Sequence, residues 1–164
     1  MKILTAIALA LILTAPAQAV RVAVFDIEGG HALAMRETIW AQCPSAAVYI
    51  IPVGRNFEMF AQAVDCAIEH DADILNVSLV GYDFTAVHEA IRKATASGII
   101  VVAPVHGNPN SFLDGIDPTR RLRRYPGMYP EVLGVYVNHP LGMSYATAVV
   151  SGRMAAIIAA AKGE

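Results

Sequence analysis

The feature that most constrains this chain is a regular alternation of short apolar runs with longer helical segments. Runs at 20–25, 46–51, 73–79, 99–103 and 131–137 are short, rich in Val, Ile and Leu, and bounded by Gly, Pro or polar residues, as strands are. Between them, 31–42, 56–70 and 83–96 read as helices, and 144–162 closes the chain as another. Within 56–70, Phe57, Phe60, Ala61, Val64 and Ile68 recur at helical spacing. Asp83 is the expected N-cap of the third helix and Gly98 its terminator. Strand and helix alternating almost without exception imply a parallel sheet with right-handed crossovers and helices on both faces. A hydrophobic content of 55% suits strands buried on both sides. The expectation is an α/β fold, a three-layer doubly wound sheet of about five parallel strands in the order 2-1-3-4-5.

Residues 1–19 read as an export signal. Lys2 supplies the positive start, an apolar run from Ile3 to Leu13 the core, and Ala17-Gln18-Ala19 the small-residue cleavage pattern. That run is too short to span a bilayer. The implied product is one domain, residues 20–164, exported to a periplasmic or secreted location, with no stable membrane span once the signal is removed. A formal net charge of −2 argues against nucleic acid or an anionic membrane as partner. Export makes a Cys43–Cys66 disulfide chemically permissible if their helices are neighbours; two buried thiols are the alternative. No His, Cys or Asp spacing matches a zinc or calcium site. Gly29-Gly30 lacks the spacing of a dinucleotide fingerprint, so neither metal nor cofactor is expected.

Open parallel sheets place their sites beyond the carboxyl ends of the strands. Asp26 follows the first strand there, and His31 opens the next helix. Ser78 to Gly81 closes the third strand, Asn108 follows the fourth, and Ser144 opens the last helix. Carboxylate, imidazole, hydroxyl and amide on one edge are the parts of a serine hydrolase. Each has a plainer reading: Asp26 and Asn108 as turn residues, His31 as a helix-start histidine, Ser144 as an N-cap. His139, close before Ser144, is a competing base. The irregular stretch 105–129 carries the basic run Arg120-Arg121-Leu122-Arg123-Arg124. That run reads as a solvated loop, with a docking patch or self-cleavage site as the alternative.

Several segments, in order along the chain, resemble the subtilisin-like serine proteases (subtilases). Val22-Ala23-Val24-Phe25-Asp26 is similar to the family's first catalytic strand. The segment Ala72-Asp73-Ile74-Leu75-Asn76-Val77-Ser78-Leu79-Val80-Gly81 is similar to its substrate-binding strand. Ala96-Ser97-Gly98-Ile99-Ile100-Val101-Val102-Ala103, with Gly107-Asn108, resembles the strand leading to the oxyanion asparagine. Tyr125-Pro126-Gly127-Met128-Tyr129-Pro130 resembles a further family segment. Gly142-Met143-Ser144-Tyr145-Ala146-Thr147, then Val150-Ser151-Gly152, resembles the nucleophile motif. The resemblance implies Asp26 as orienter, His31 as general base and acid, and Ser144 as nucleophile. It implies Asn108 and the Ser144 N–H as the oxyanion site. Ser78, Leu79, Val80 and Gly81 would pair with a peptide or protein substrate as an added strand.

The chain also departs from the family. His31-Ala32-Leu33-Ala34 stands where a His-Gly-Thr-His motif is usual. Only four residues separate Asp26 from His31, where the family has a further strand. Met143 replaces a threonine whose hydroxyl would lie near the oxyanion, which implies slow turnover. Ala148 replaces a proline, and no calcium-binding loop is recognisable. Two functions follow from this minimal form. One is an exported serine endopeptidase acting through an acyl-enzyme; the other is a weak or inactive subtilase-like peptide-binding protein.

Overall fold

The computed structural model describes residues 19–27, 29–53, 57–105, 125–136 and 139–163. Strands β1 (Arg21–Asp26), β2 (Ala47–Pro52), β3 (Ile74–Val77), β4 (Ile100–Pro104) and β5 (Leu133–Val135) form one sheet. Helices α1 (Gly30–Gln42), α2 (Phe57–Glu69), α3 (Thr85–Ala96) and α4 (Met143–Lys162) flank it. The strand order is β2-β1-β3-β4-β5, and every pairing is parallel. Both match the sequence expectation. Register is continuous across the centre: Val22 lies opposite Val48 on one side and Ile74 on the other.

The pleat of each strand divides its side chains between two cores. Ala23 and Phe25 of β1, Leu75 and Val77 of β3, and Val101 and Ala103 of β4 pack with Phe60, Val64, Ile91 and Ala94 from α2 and α3. Val22, Val24, Ile74 and Val102 face the other way, toward Met35 and Ile39 of α1 and Met143, Ala146, Ala155 and Ala159 of α4. Two apolar layers on one sheet are why the strands carry unbroken hydrophobic runs.

The cysteines are free, and the sheet lies between them. Cys43 belongs to the core under α1 and α4, whereas Cys66 packs on the core under α2 and α3. No bridge can form across the sheet without unfolding it.

Helix α4 is long and apolar enough, by length and composition alone, to cross a membrane. It is nevertheless a core helix, packed on α1 and on four strands of the sheet. At its contact with α1 the residue is Gly152, where a β-carbon would fall 2.8 Å from the Ile39 carbonyl oxygen and 2.7 Å from Gln42 Cβ. The two backbones therefore meet more closely than any side chain would permit.

Three sequence expectations shift. Helix α3 begins at Thr85 with Phe84 in the cap position, and Asp83 makes no cap hydrogen bond. The Asp83 carboxylate instead accepts the Tyr129 hydroxyl at 3.0 Å. The fifth strand is shorter than its apolar run, and the third ends at Val77, freeing Ser78 to Val80 from regular strand.

Candidate functional site

Asp26 is the last residue of β1 and is 3% exposed. Both carboxylate oxygens are used: Oδ1 accepts the Ile27 N–H at 2.7 Å, and Oδ2 lies 2.5 Å from His31 Nδ1. A buried carboxylate needs such partners, because desolvating an unpaired charge is costly. Gly29, at φ 132°, makes the turn that folds His31 back onto Asp26 within five positions. An ionised carboxylate can only accept, so in the neutral imidazole the Nδ1–H faces Asp26 and Nε2 is the acceptor. The imidazole is 47% exposed. One edge is thus fixed by a buried acid while the other is open to a reactant.

Ser144 is not the cap of α4. The cap position is Gly142, at φ 98° and ψ 171°, and Ser144 sits half-buried within the first turn. Its Oγ donates to the Ser78 carbonyl at 3.4 Å, across 66 positions of sequence. The first N–H groups of any helix lack intrahelical acceptors, so the Ser144 N–H sits at an anion-binding end. Ser78 in turn extends the β1–β3 ladder, its N–H donating to the Phe25 carbonyl at 3.2 Å. Ser78 therefore stands between the end of β1, with Asp26 and His31, and the start of α4. Adjacent strands are about 4.8 Å apart, so the three groups share one short stretch of the carboxyl edge.

Beneath them lies a polar network that the sequence reading did not single out. Asn76 Nδ2 donates to Ser78 Oγ at 2.9 Å, and Ser151 Oγ donates to Asn76 Oδ1 at 2.9 Å. Asn76 and Ser151 are fully buried. The available signal was an asparagine in an apolar strand, together with a serine two helical turns past Ser144 in an Ala- and Val-rich helix. Buried polar groups are nearly always paired, so each implied the other.

The Ser78–Gly81 segment is partly occupied. Gly81 forms an antiparallel bridge with Tyr125: its N–H donates to the Tyr125 carbonyl at 2.7 Å and its carbonyl accepts the Tyr125 N–H at 3.2 Å. An added strand would meet Ser78 to Val80 rather than Gly81. The Tyr125 segment is clamped to α3. The Tyr129 ring stacks on His88 at 3.9 Å, and His88 Nε2 lies 3.0 Å from Glu131, which also accepts from Arg92 at 3.2 Å. Burial pushes the Tyr129 phenol up to about 12, and the hydrogen bond from His88 holds the Glu131 carboxyl below its ordinary value.

Met143 precedes Ser144 in the first turn of α4. It is 4% exposed and packed in the core with Val135 and Ala146. His139 stacks on Tyr145, ring centroids 6.0 Å apart, and its Nδ1 accepts the Leu141 N–H at 3.1 Å. Asn108, and the run Arg120 to Arg124, lie outside the described residues.

A curated protein named an intracellular serine protease, from Paenibacillus polymyxa, is 39% identical over 98 residues. The alignment covers 56% of this chain and 28% of that protein, so the chain spans well under half the length of this relative. Among solved structures, the PatG macrocyclase in complex with peptide superposes with a TM-score of 0.52 at 14% identity, over 87% of this chain and 70% of that one. The likenesses support a subtilase-like relationship. No protein-family model matches the chain. The α/β sheet of the subtilase-like fold is what the structural likeness establishes; the roles of individual residues rest on the geometry above.

Proposed function

We propose that the chain is a serine endopeptidase that cleaves peptide bonds through an acyl-enzyme. The observation that carries this reading is the placement of Ser144. Its hydroxyl is held at Ser78, one strand from a buried Asp26 paired with an open His31. In this reading His31 Nε2 takes the Ser144 proton as Oγ attacks the scissile carbonyl. Asp26 stabilises the imidazolium that forms. The Ser144 N–H, with the Asn108 amide, holds the oxyanion. His31 then returns the proton to the leaving amine, and water releases the acyl group. Ser78 to Val80 receive the peptide as an added strand. A protease relative and a fold neighbour solved with a peptide support a peptide substrate.

The test is labelling of the purified protein with a fluorophosphonate probe, followed by mapping of the modified residue. Modification at Ser144, lost in Ser144→Ala, is the expected result. A folded protein that binds peptide and takes no label is the peptide-binding alternative, and it overturns the catalytic reading.

Export is proposed from residues 1–19 alone. The intracellular name of the Paenibacillus polymyxa relative does not fit it. Ala19 and Val20 are buried, and the Val20 carbonyl accepts the Ala47 N–H at 2.8 Å. Cell fractionation and sequencing of the mature N-terminus decide the point: an intracellular protein that retains Lys2 refutes export.

A further inference from the structure

We propose that Asn76 and Ser151 are positioning residues for Ser144, setting where α4 stops along the sheet; the proposal rests on Ser144 being the nucleophile. Ser144 and Ser151 are seven residues apart on one helix, so they share a face and are separated by about 10.5 Å along its axis. Asn76 and Ser78 are two residues apart at the end of β3, so they share the face turned toward α4. The bonds close a circuit between these faces. Ser144 Oγ donates to the Ser78 carbonyl, Asn76 donates to Ser78 Oγ, and Ser151 donates to Asn76.

Outside Met143 and the close approach of Gly152 to α1, much of the α4 contact surface is poor at fixing register. Its buried face is built largely of Ala146, Ala148, Ala155 and Ala159, and Gly152 meets α1. Small side chains give burial but few projections that interlock with a neighbour, so at the alanine positions a shift along the axis changes little apolar contact. A buried amide bonded on both sides behaves differently. Sliding the helix stretches and bends the Ser151–Asn76 bond, and leaving either atom unpaired in the core is strongly unfavourable. Buried polar groups are known to set register in this way between packed helices. Here the register fixed by Ser151 is transmitted two turns along a rigid helix to Ser144. A nucleophile displaced by about 1 Å from its reacting geometry loses rate steeply.

The experiment compares Ser151→Ala and Asn76→Ala with Ile91→Val, a truncation in the core on the opposite face of the sheet. Tm, the rate constant for fluorophosphonate labelling of Ser144, and kcat and KM on a peptide ester are measured well below every Tm. The expected result is a fall of about ten- to a hundredfold in labelling rate and kcat for both polar variants, with KM nearly constant. Ile91→Val should lose Tm without losing labelling rate. The double variant Ser151→Ala/Asn76→Ala should be no slower than the slower single, since both break one circuit. Where Ser151→Ala does not fold, Ser151→Cys keeps a weak donor of similar size and should label at an intermediate rate. Polar variants that label at the wild-type rate, or slow no more than Ile91→Val does, overturn the positioning role and leave the nucleophile intact. A wild-type protein that takes no label at all overturns the nucleophile reading and, with it, this one.

Discussion

The two halves of the candidate site are held in opposite ways. Asp26 and His31 are five positions apart and meet through one tight turn. Ser144 is placed by groups far away in sequence: the Ser78 carbonyl 66 positions off, and Asn76, which bonds Ser151 across 75 positions. The first half is a local arrangement that survives modest repacking. The second depends on two helices and a strand remaining in register. This difference teaches that packing changes remote from the chemistry should weaken the serine without disturbing the acid–imidazole pair.

The largest effect breaks the local half directly. Asp26→Asn replaces the Oδ2 acceptor that faces His31 Nδ1 with an N–H donor, and turnover on a peptide ester should fall about 10⁴-fold, as it does in Ser-His-Asp enzymes. Ser144→Ala should abolish fluorophosphonate labelling altogether. Retained turnover in Asp26→Asn would show that the pair is structural.

Gly152→Ala tests the distant half through packing alone. The added methyl meets the α1 backbone, so stability should drop by about 1–3 kcal/mol, read from urea unfolding. Labelling of Ser144 should slow, while the NMR signature of the His31–Asp26 pair stays unchanged. Loss of that signature as well would erase the distinction between the halves.

Met143→Thr sharpens the same point. From sequence, the threonine hydroxyl was expected to restore a donor near the oxyanion. In the fold, Met143 is a core residue, and replacing it by a smaller polar side chain should cost about 2 kcal/mol of stability. Faster turnover would support a donor role for the hydroxyl; unchanged turnover would mean that its absence is not what sets the rate.

The smallest effect lies at the Tyr125 segment. The Glu131 pKa is lowered in the folded protein, chiefly by its hydrogen bond with His88. Its contribution to stability is therefore complete above the ordinary carboxylate value of 4.5 and is lost as pH falls through the lowered folded value. The Tm difference between the wild type and Glu131→Gln should be modest near neutral pH and vanish in strong acid. A difference that persists in acid would mean that the ionised carboxylate is not what matters at Glu131.

Much of this protein was legible in its sequence, for a simple reason. Strand–helix alternation leaves few ways to bury two apolar layers, so the parallel sheet followed from the pattern, and its order from placing the catalytic edge at a switch point. Proximity in sequence likewise brought Asp26 and His31 together. What tertiary structure alone decided was long-range. Periodicity could not show that Cys43 and Cys66 face opposite layers, since a helix can bury its apolar residues on either side of the sheet. It could not show that Asp83 is drawn from its cap by Tyr129, or that Gly81 is already bridged to Tyr125. Nor could it join Asn76 to Ser151, because a hydrogen bond across 75 positions exists only once the core has placed α4 against β3. Local pattern determined which elements form and in what order they stack. The register between those elements, on which the reach of Ser144 depends, is set by packing and by buried polar groups that must find partners.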